Sequence, residues 1–186
     1  MRIGWLRADG RRDDPRDTDF AAFVAGAYPS LCRTAYLVVG DLHLAEDVVQ
    51  NALVSVYRKW DCIEHEAGAG PYARRAVVNA ALSELRRPHR RRESACDAVP
   101  EQAGSGVGSQ VDGAVLDAVR LLPPRQRAVV VLRYVEDADV ATTAAALGIS
   151  EGTVKSQCSK ALTTLRGHLS QNPALRPATL PRKASS

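Results

Sequence analysis

Six residues near the C-terminal end, Thr153, Lys155, Ser156, Gln157, Ser159 and Lys160, place hydroxyls, an amide and two ammonium groups within eight successive positions. Groups of this kind, carried on one side of a helix, reach base edges and phosphates in the DNA major groove. After Glu151 the stretch is short of carboxylates, which suits a polyanionic partner. On pattern alone a second reading stays open: an ordinary helical hairpin whose polar face meets water.

A second set is cationic. Arg74, Arg75, Arg86, Arg87, Arg90, Arg91 and Arg92 put seven arginines into nineteen residues, against the single acid Glu84. Such a patch is an electrostatic footprint for phosphates, although a solubilising end or a contact with an acidic protein would look the same. Asn79 lies among alanines where an amide is a poor helix former; it is either a satisfied buried amide or one offered to a base. A third set, Glu46, Asp47, Gln50, Asn51, Ser55, Arg58 and Lys59, lines the side of a helix opposite its apolar stripe, with solvation as the plain alternative. Nothing convergent for catalysis accompanies these sets. His43, His65, His89 and His168 show no ligand spacing, and Cys32, Cys62, Cys96 and Cys158 make no CxxC pair. No Gly-rich loop follows a strand, so no cofactor and no metal is expected and a small enzyme has no site to offer.

The elements that must carry these sets read as helices. Asp139–Leu169 is a helix-turn-helix: a short helix of Val140, Ala141, Ala144, Ala145 and Leu147, a stop at Gly148, Ile149 in the corner, Ser150 as N-cap, then a long helix. Val154, Cys158, Ala161, Leu162, Leu165 and Leu169 recur there at steps of three and four, one buried stripe. The helix from Leu42 to Trp60, capped by Asp41, is the most regular, with Ala45, Val48, Val49, Ala52, Leu53, Val56, Tyr57 and Trp60 inward. Residues 71–87 form another, opened by Pro71, stopped by Pro88, with Tyr72, Ala76, Val77, Ala80, Ala81 and Leu85 inward. A pattern from Thr18 with Phe20, Phe23, Val24 and Ala27 is expected to break or kink at Pro29 and to resume until Gly40. Residues 93–110 lose all periodicity and become Gly/Ser-rich, a flexible linker. After it come a helix at 111–122 and another begun by Pro124, whose core is expected from Val129, Val130, Leu132, Tyr134 and Val135. Residues 1–17 and 171–186 read as disordered tails.

Composition agrees. Only two Phe and two Trp in 186 residues leave an aliphatic, Ala-rich core that favours helices. The fold class expected is therefore all-α: two small helical domains, 18–92 and 111–170, the second a four-helix domain containing the helix-turn-helix. Scattered cysteines point to reduced thiols, mostly buried, in a cytoplasmic protein. The N-terminus lacks a signal-peptide core and no run approaches a membrane span.

Two basic helical modules on a linker, the second ending in a helix-turn-helix, resemble RNA polymerase sigma factors of the small extracytoplasmic-function type. The resemblance is carried by AEDVVQNALVSVYRKW at 45–60, YARRAVVNAALSELRR at 72–87, LPPRQRAVVVLRY at 122–134 and LGISEGTVKSQCSKAL at 147–162, and spans about residues 18–169. The wording of the second and fourth blocks is most similar to the actinobacterial SigE family.

The resemblance implies a transcription initiation factor without catalysis of its own, whose partners are core RNA polymerase (the β′ clamp coiled coil and the β flap), promoter DNA and an anti-sigma protein. It implies that Glu46, Asp47, Gln50, Asn51 and Arg58 contact polymerase, with Asn51 where an acid is usual. Arg74, Arg75, Asn79, Ser83, Arg86 and Arg87 would bind the minus-ten element, Asn79 matching a base-contacting position. Glu84 and Leu85 stand where an aromatic pair is common. Thr153, Lys155, Ser156, Gln157, Ser159 and Lys160 would read the minus-thirty-five element. A stand-alone DNA-binding regulator would keep the hairpin but leave the arginine-rich helix and the polar face at 46–58 without purpose.

Overall fold

The computed structural model describes residues 14–63, 68–87 and 113–171, and these are helical without strands. The segments expected to be tails at 1–13 and 172–186, the linker at 93–110, and Arg90, Arg91 and Arg92 lie outside the described residues.

The first module is α1 (Pro15–Val39), α2 (Leu42–Arg58), a 3-10 turn (Trp60–Cys62) and α3 (Ala69–Arg86). α1 begins inside the stretch expected to be a tail, because Asp14 accepts the Arg16 N–H at 3.0 Å and Pro15 supplies a preset φ in the first turn. It also runs through Pro29 without a break. Its end is as expected: Gly40 takes a left-handed φ of 82° and donates its N–H to Tyr36, and the Asp41 carboxylate then accepts the Leu44 N–H at 2.7 Å to start α2.

The three helices share one core. Leu31, Cys32, Ala35, Leu37 and Val38 of α1 meet the α2 stripe, with Ala73, Val77 and Ala81 of α3 closing it. At one end Trp60 stands edge-on to Phe20, centroids 5.0 Å apart, and 5.1 Å from Phe23. Arg16 lies 4.7 Å above the Tyr57 ring and donates to the Tyr57 carbonyl at 2.7 Å. By length and composition α1 would suffice to cross a membrane, contrary to the sequence expectation; here it is a core helix against α2 and α3.

The second module is α4 (Gly113–Arg120), α5 (Pro124–Val130) continuing as a π turn (Val131–Val135), α6 (Val140–Leu147) and α7 (Glu151–Gln171). Asp139 caps α6, accepting the Thr142 N–H at 2.6 Å, and that bond holds its carboxyl below the usual range. Gly148 ends α6 at φ 63°, and the Ser150 hydroxyl accepts the Thr153 N–H to open α7. The π turn is closed by the Glu136 N–H on the Val131 carbonyl at 3.0 Å. It corrects one expectation: Tyr134, assigned to the core, is 57% exposed, because a five-residue turn shifts the side chains after it relative to the α stripe.

The modules are not apart. Leu116, Val119 and Val131 join the first module's core, and Val78 of α3 packs with Ala128, Leu132 and Ala146 of the second.

Candidate polymerase and nucleic-acid surfaces

α7 presents its polar face openly. Lys155, Ser156, Ser159 and Lys160 are exposed, and Thr153 and Gln157 half-buried. Val154 and Ala161 on the opposite side are fully buried against α5 and α6. Thr153, Ser156, Gln157 and Lys160 follow each other at steps of three and one, so they form one strip, with Lys155 and Ser159 beside it. The Thr153 and Ser150 hydroxyls are paired at 2.9 Å and the Ser156 hydroxyl donates to the Thr153 carbonyl. Both lysines keep their ammonium groups in water. That strip is shaped to approach a groove with phosphate contacts at its edges.

α3 is different. Arg75, Asn79, Ser83 and Arg86 share a strip, and all four are exposed. Arg86 folds back on the Leu82 carbonyl at 3.1 Å, and Arg87 pairs with Glu84 at 2.8 Å. Asn79 donates from Nδ2 to the Ala146 carbonyl of α6 at 2.9 Å. Arg74 pairs with Glu136 at 3.2 Å, where the glutamate side chain is only 7% exposed. The arginine-rich helix therefore faces the second module along one side and water along the other.

On α2, Asp47, Gln50, Asn51 and Arg58 are exposed on one face. Glu46 is not with them. It is half-buried, and its charge adds to the rise of the Tyr28 phenol to about 12 and of the Cys32 thiol to about 11, shifts due first to burial. The structure adds a residue that the polar pattern concealed: Val54, at the seventh position after Asp47, is 52% exposed in the middle of this face. An apolar residue breaking a polar row at helical spacing was the available signal. Cys62 is exposed, against the expectation of mostly buried thiols. Among the described residues no cluster of His, Cys, Asp or Glu is arranged to hold a metal.

Two family models match the chain, Sigma-70 region 2 over residues 23–92 and Sigma-70, region 4 over residues 112–165. The chain belongs to the sigma-70 family. Among relatives, it is 38% identical over 153 residues to the RNA polymerase sigma-E factor of Streptomyces coelicolor, covering 81% of this chain and 86% of that one. The ECF RNA polymerase sigma factor SigM of Mycobacterium tuberculosis is 35% identical over 128 residues, covering 67% and 65%. Among solved structures, the sigma factor RpoE of Bartonella quintana, in complex with the anti-sigma factor NepR, is similar with a TM-score of 0.64 at 26% identity, over 82% of this chain and 98% of that one. CnrH in complex with the cytosolic domain of CnrY shares the fold, with a TM-score of 0.60 at 20% identity over 86% and 92%.

This sigma factor is thus of the extracytoplasmic-function type, a transcription initiation factor that binds core RNA polymerase and directs it to promoter DNA. Its matched regions fall on the two helical modules.

Proposed function

We propose that the two modules, 18–92 and 111–170 joined by the 93–110 linker, divide the promoter between them. The α7 strip of Thr153, Lys155, Ser156, Gln157, Ser159 and Lys160 reads the minus-thirty-five duplex. Arg74, Arg75, Asn79, Ser83, Arg86 and Arg87 hold the minus-ten strand as it opens. Asp47, Gln50, Asn51 and Arg58, with Val54 among them, grip the β′ clamp coiled coil, and Glu46 supports that helix from its inner edge. The groove between the π turn, α6 and α7, lined by Tyr134, Val140, Val154, Cys158 and Leu162, supports a second polymerase contact with the β flap. The single observation that carries the reading is the exposed, carboxylate-poor strip on α7, set on a helix-turn-helix whose opposite side buries Val154 and Ala161.

The chain makes no bond itself; polymerase does the chemistry, in the cytoplasm where promoter and enzyme meet. An anti-sigma protein is a natural regulator, since the similar sigma factor of Bartonella quintana was captured with one. Transcription in vitro with core polymerase over a random promoter library tests the whole. Initiation at defined positions is expected, with N79A impairing strand opening more than binding and K155A weakening duplex capture. A chain unable to make core polymerase start at any defined position overturns the reading.

A further inference from the structure

Arg16 stands apart from the residues around it at the start of α1. Asp14, Pro15, Asp17, Thr18 and Asp19 are exposed, yet Arg16 is half-buried. Its guanidinium engages the far end of α2 and the turn that follows. One terminal nitrogen donates to the Tyr57 carbonyl at 2.7 Å, the other pairs with Asp61 at 3.2 Å, and the group lies over the Tyr57 ring. The Tyr57 hydroxyl in turn donates to Asp17, the next residue of α1. The Sigma-70 region 2 match begins at residue 23, so this arginine precedes the part of the chain matched to the family.

The end of α2 needs such a partner. The Tyr57 carbonyl is among the last four of the helix, which the i to i+4 ladder does not reach. Whereas α1 and α6 close on left-handed glycines, α2 ends at Lys59 with φ −110°, without that stop. A cation at a helix C-terminus is favoured by the dipole, and its hydrogen bond to a carbonyl is charge-assisted. The start of α2 is held independently, by Asp41 on the Leu44 N–H. The exposed row on α2 is thus secured at two ends by different means: Asp47 and Gln50 lie towards the Asp41 cap, Val54 and Arg58 towards Arg16. We propose that Arg16 is a positioning residue for polymerase binding, which keeps the last turn of α2 wound so that Val54 and Arg58 hold their bearing on the face. The consequence for polymerase rests on the reading of that face given above; the winding of the turn does not.

The test is R16A in the full chain, with two readouts. Hydrogen exchange of the free protein, followed by mass spectrometry, compares the segment 56–63 with 42–50. Exchange in 56–63 is expected to quicken about tenfold, the effect of losing one charged hydrogen bond, while 42–50 keeps its wild-type rate. Titration with core polymerase is expected to give a Kd weakened about fivefold, as when the binding-ready fraction falls from nearly all to about a fifth. Double variants separate positioning from general loosening. R16A adds its full effect to D47A but less than about twofold to R58A, because only Arg58 depends on the turn that Arg16 holds. Should R16A fail to fold, R16K decides, since it keeps a stem over Tyr57 but cannot span the carbonyl and Asp61 together. Unchanged exchange in 56–63, equal quickening of both segments, or full additivity with R58A overturns the proposal. If D47A and R58A each leave the Kd unchanged, the polymerase-face reading has failed instead, and exchange in 56–63 alone then decides the hold of Arg16 on α2.

Discussion

Replacing Val54 tests the proposed polymerase face where it departs from its polar neighbours. Its side chain is 52% exposed, so about half of its apolar surface is already shielded in the free chain. V54A removes two methyl-sized groups, each contributing about 0.8 kcal/mol when wholly covered by a partner. Half of that remains to be gained on binding, about 0.8 kcal/mol, which is about a fourfold weaker Kd for core polymerase. V54D places a carboxylate within the same face and costs more than about tenfold, because an uncompensated charge is then desolvated at the contact. The fold does not suffer: an exposed position outside the core shifts stability by no more than about 0.5 kcal/mol. The assay is a titration of labelled chain with core polymerase, with urea unfolding alongside. Wild-type affinity for V54D, at unchanged stability, would refute the placement of Val54 and of the whole Asp47–Arg58 row in that interface.

W60A empties the site where Trp60 meets Phe20 and Phe23, and is expected to cost about 3–5 kcal/mol in urea unfolding, a large part of the stability of a domain this size; a loss under about 1 kcal/mol would show the aromatic cluster to be peripheral. K155A should weaken duplex binding evenly across sequences and flatten the salt dependence by about one unit of slope, and a change confined to one sequence would point to base contact instead. Burial lifts the Cys32 thiol to about 11, so below that pH it keeps its proton and resists alkylation, while Cys62 is exposed to the reagent and is expected to react faster. Peptide mass spectrometry follows both sites, and equal rates in the folded chain would contradict the packing of α1 on α2.

Local patterns foretold the helices well, because each is set by nearby residues. Gly40, Asp41, Gly148 and Ser150 act at the boundaries expected of them, and the α2 stripe from Ala45 to Trp60 is buried or half-buried throughout. What escaped was non-local or register-dependent. Pro29 sits exposed within α1, between half-buried Tyr28 and the buried Leu31 and Cys32, so its ring faces away from the packing that holds the helix. Tyr134 has the spacing of a core residue, and only the π turn moves it out. Val78 looked surplus to the α3 stripe; its cover comes from Ala128, Leu132 and Ala146, some fifty to seventy positions later, which no periodicity within α3 encodes. For the same reason Asn79 kept two readings in the sequence, and the structure gives it a protein partner on α6. The exposure of Lys155, Ser156, Ser159 and Lys160 was legible because polar residues opposite an apolar stripe need no tertiary knowledge to be placed.

The π turn at Val131–Val135 bears on how this chain tolerates insertions and deletions. An α-helix advances about 100° per residue, so deleting one residue there would let the segment relax to ordinary helix and swing everything downstream around its axis. Each helix would still form and still have its caps, yet the polar strip on α7 would face a new compass bearing relative to α5. Length at this one place, rather than any single side chain, aims the hairpin proposed to face DNA.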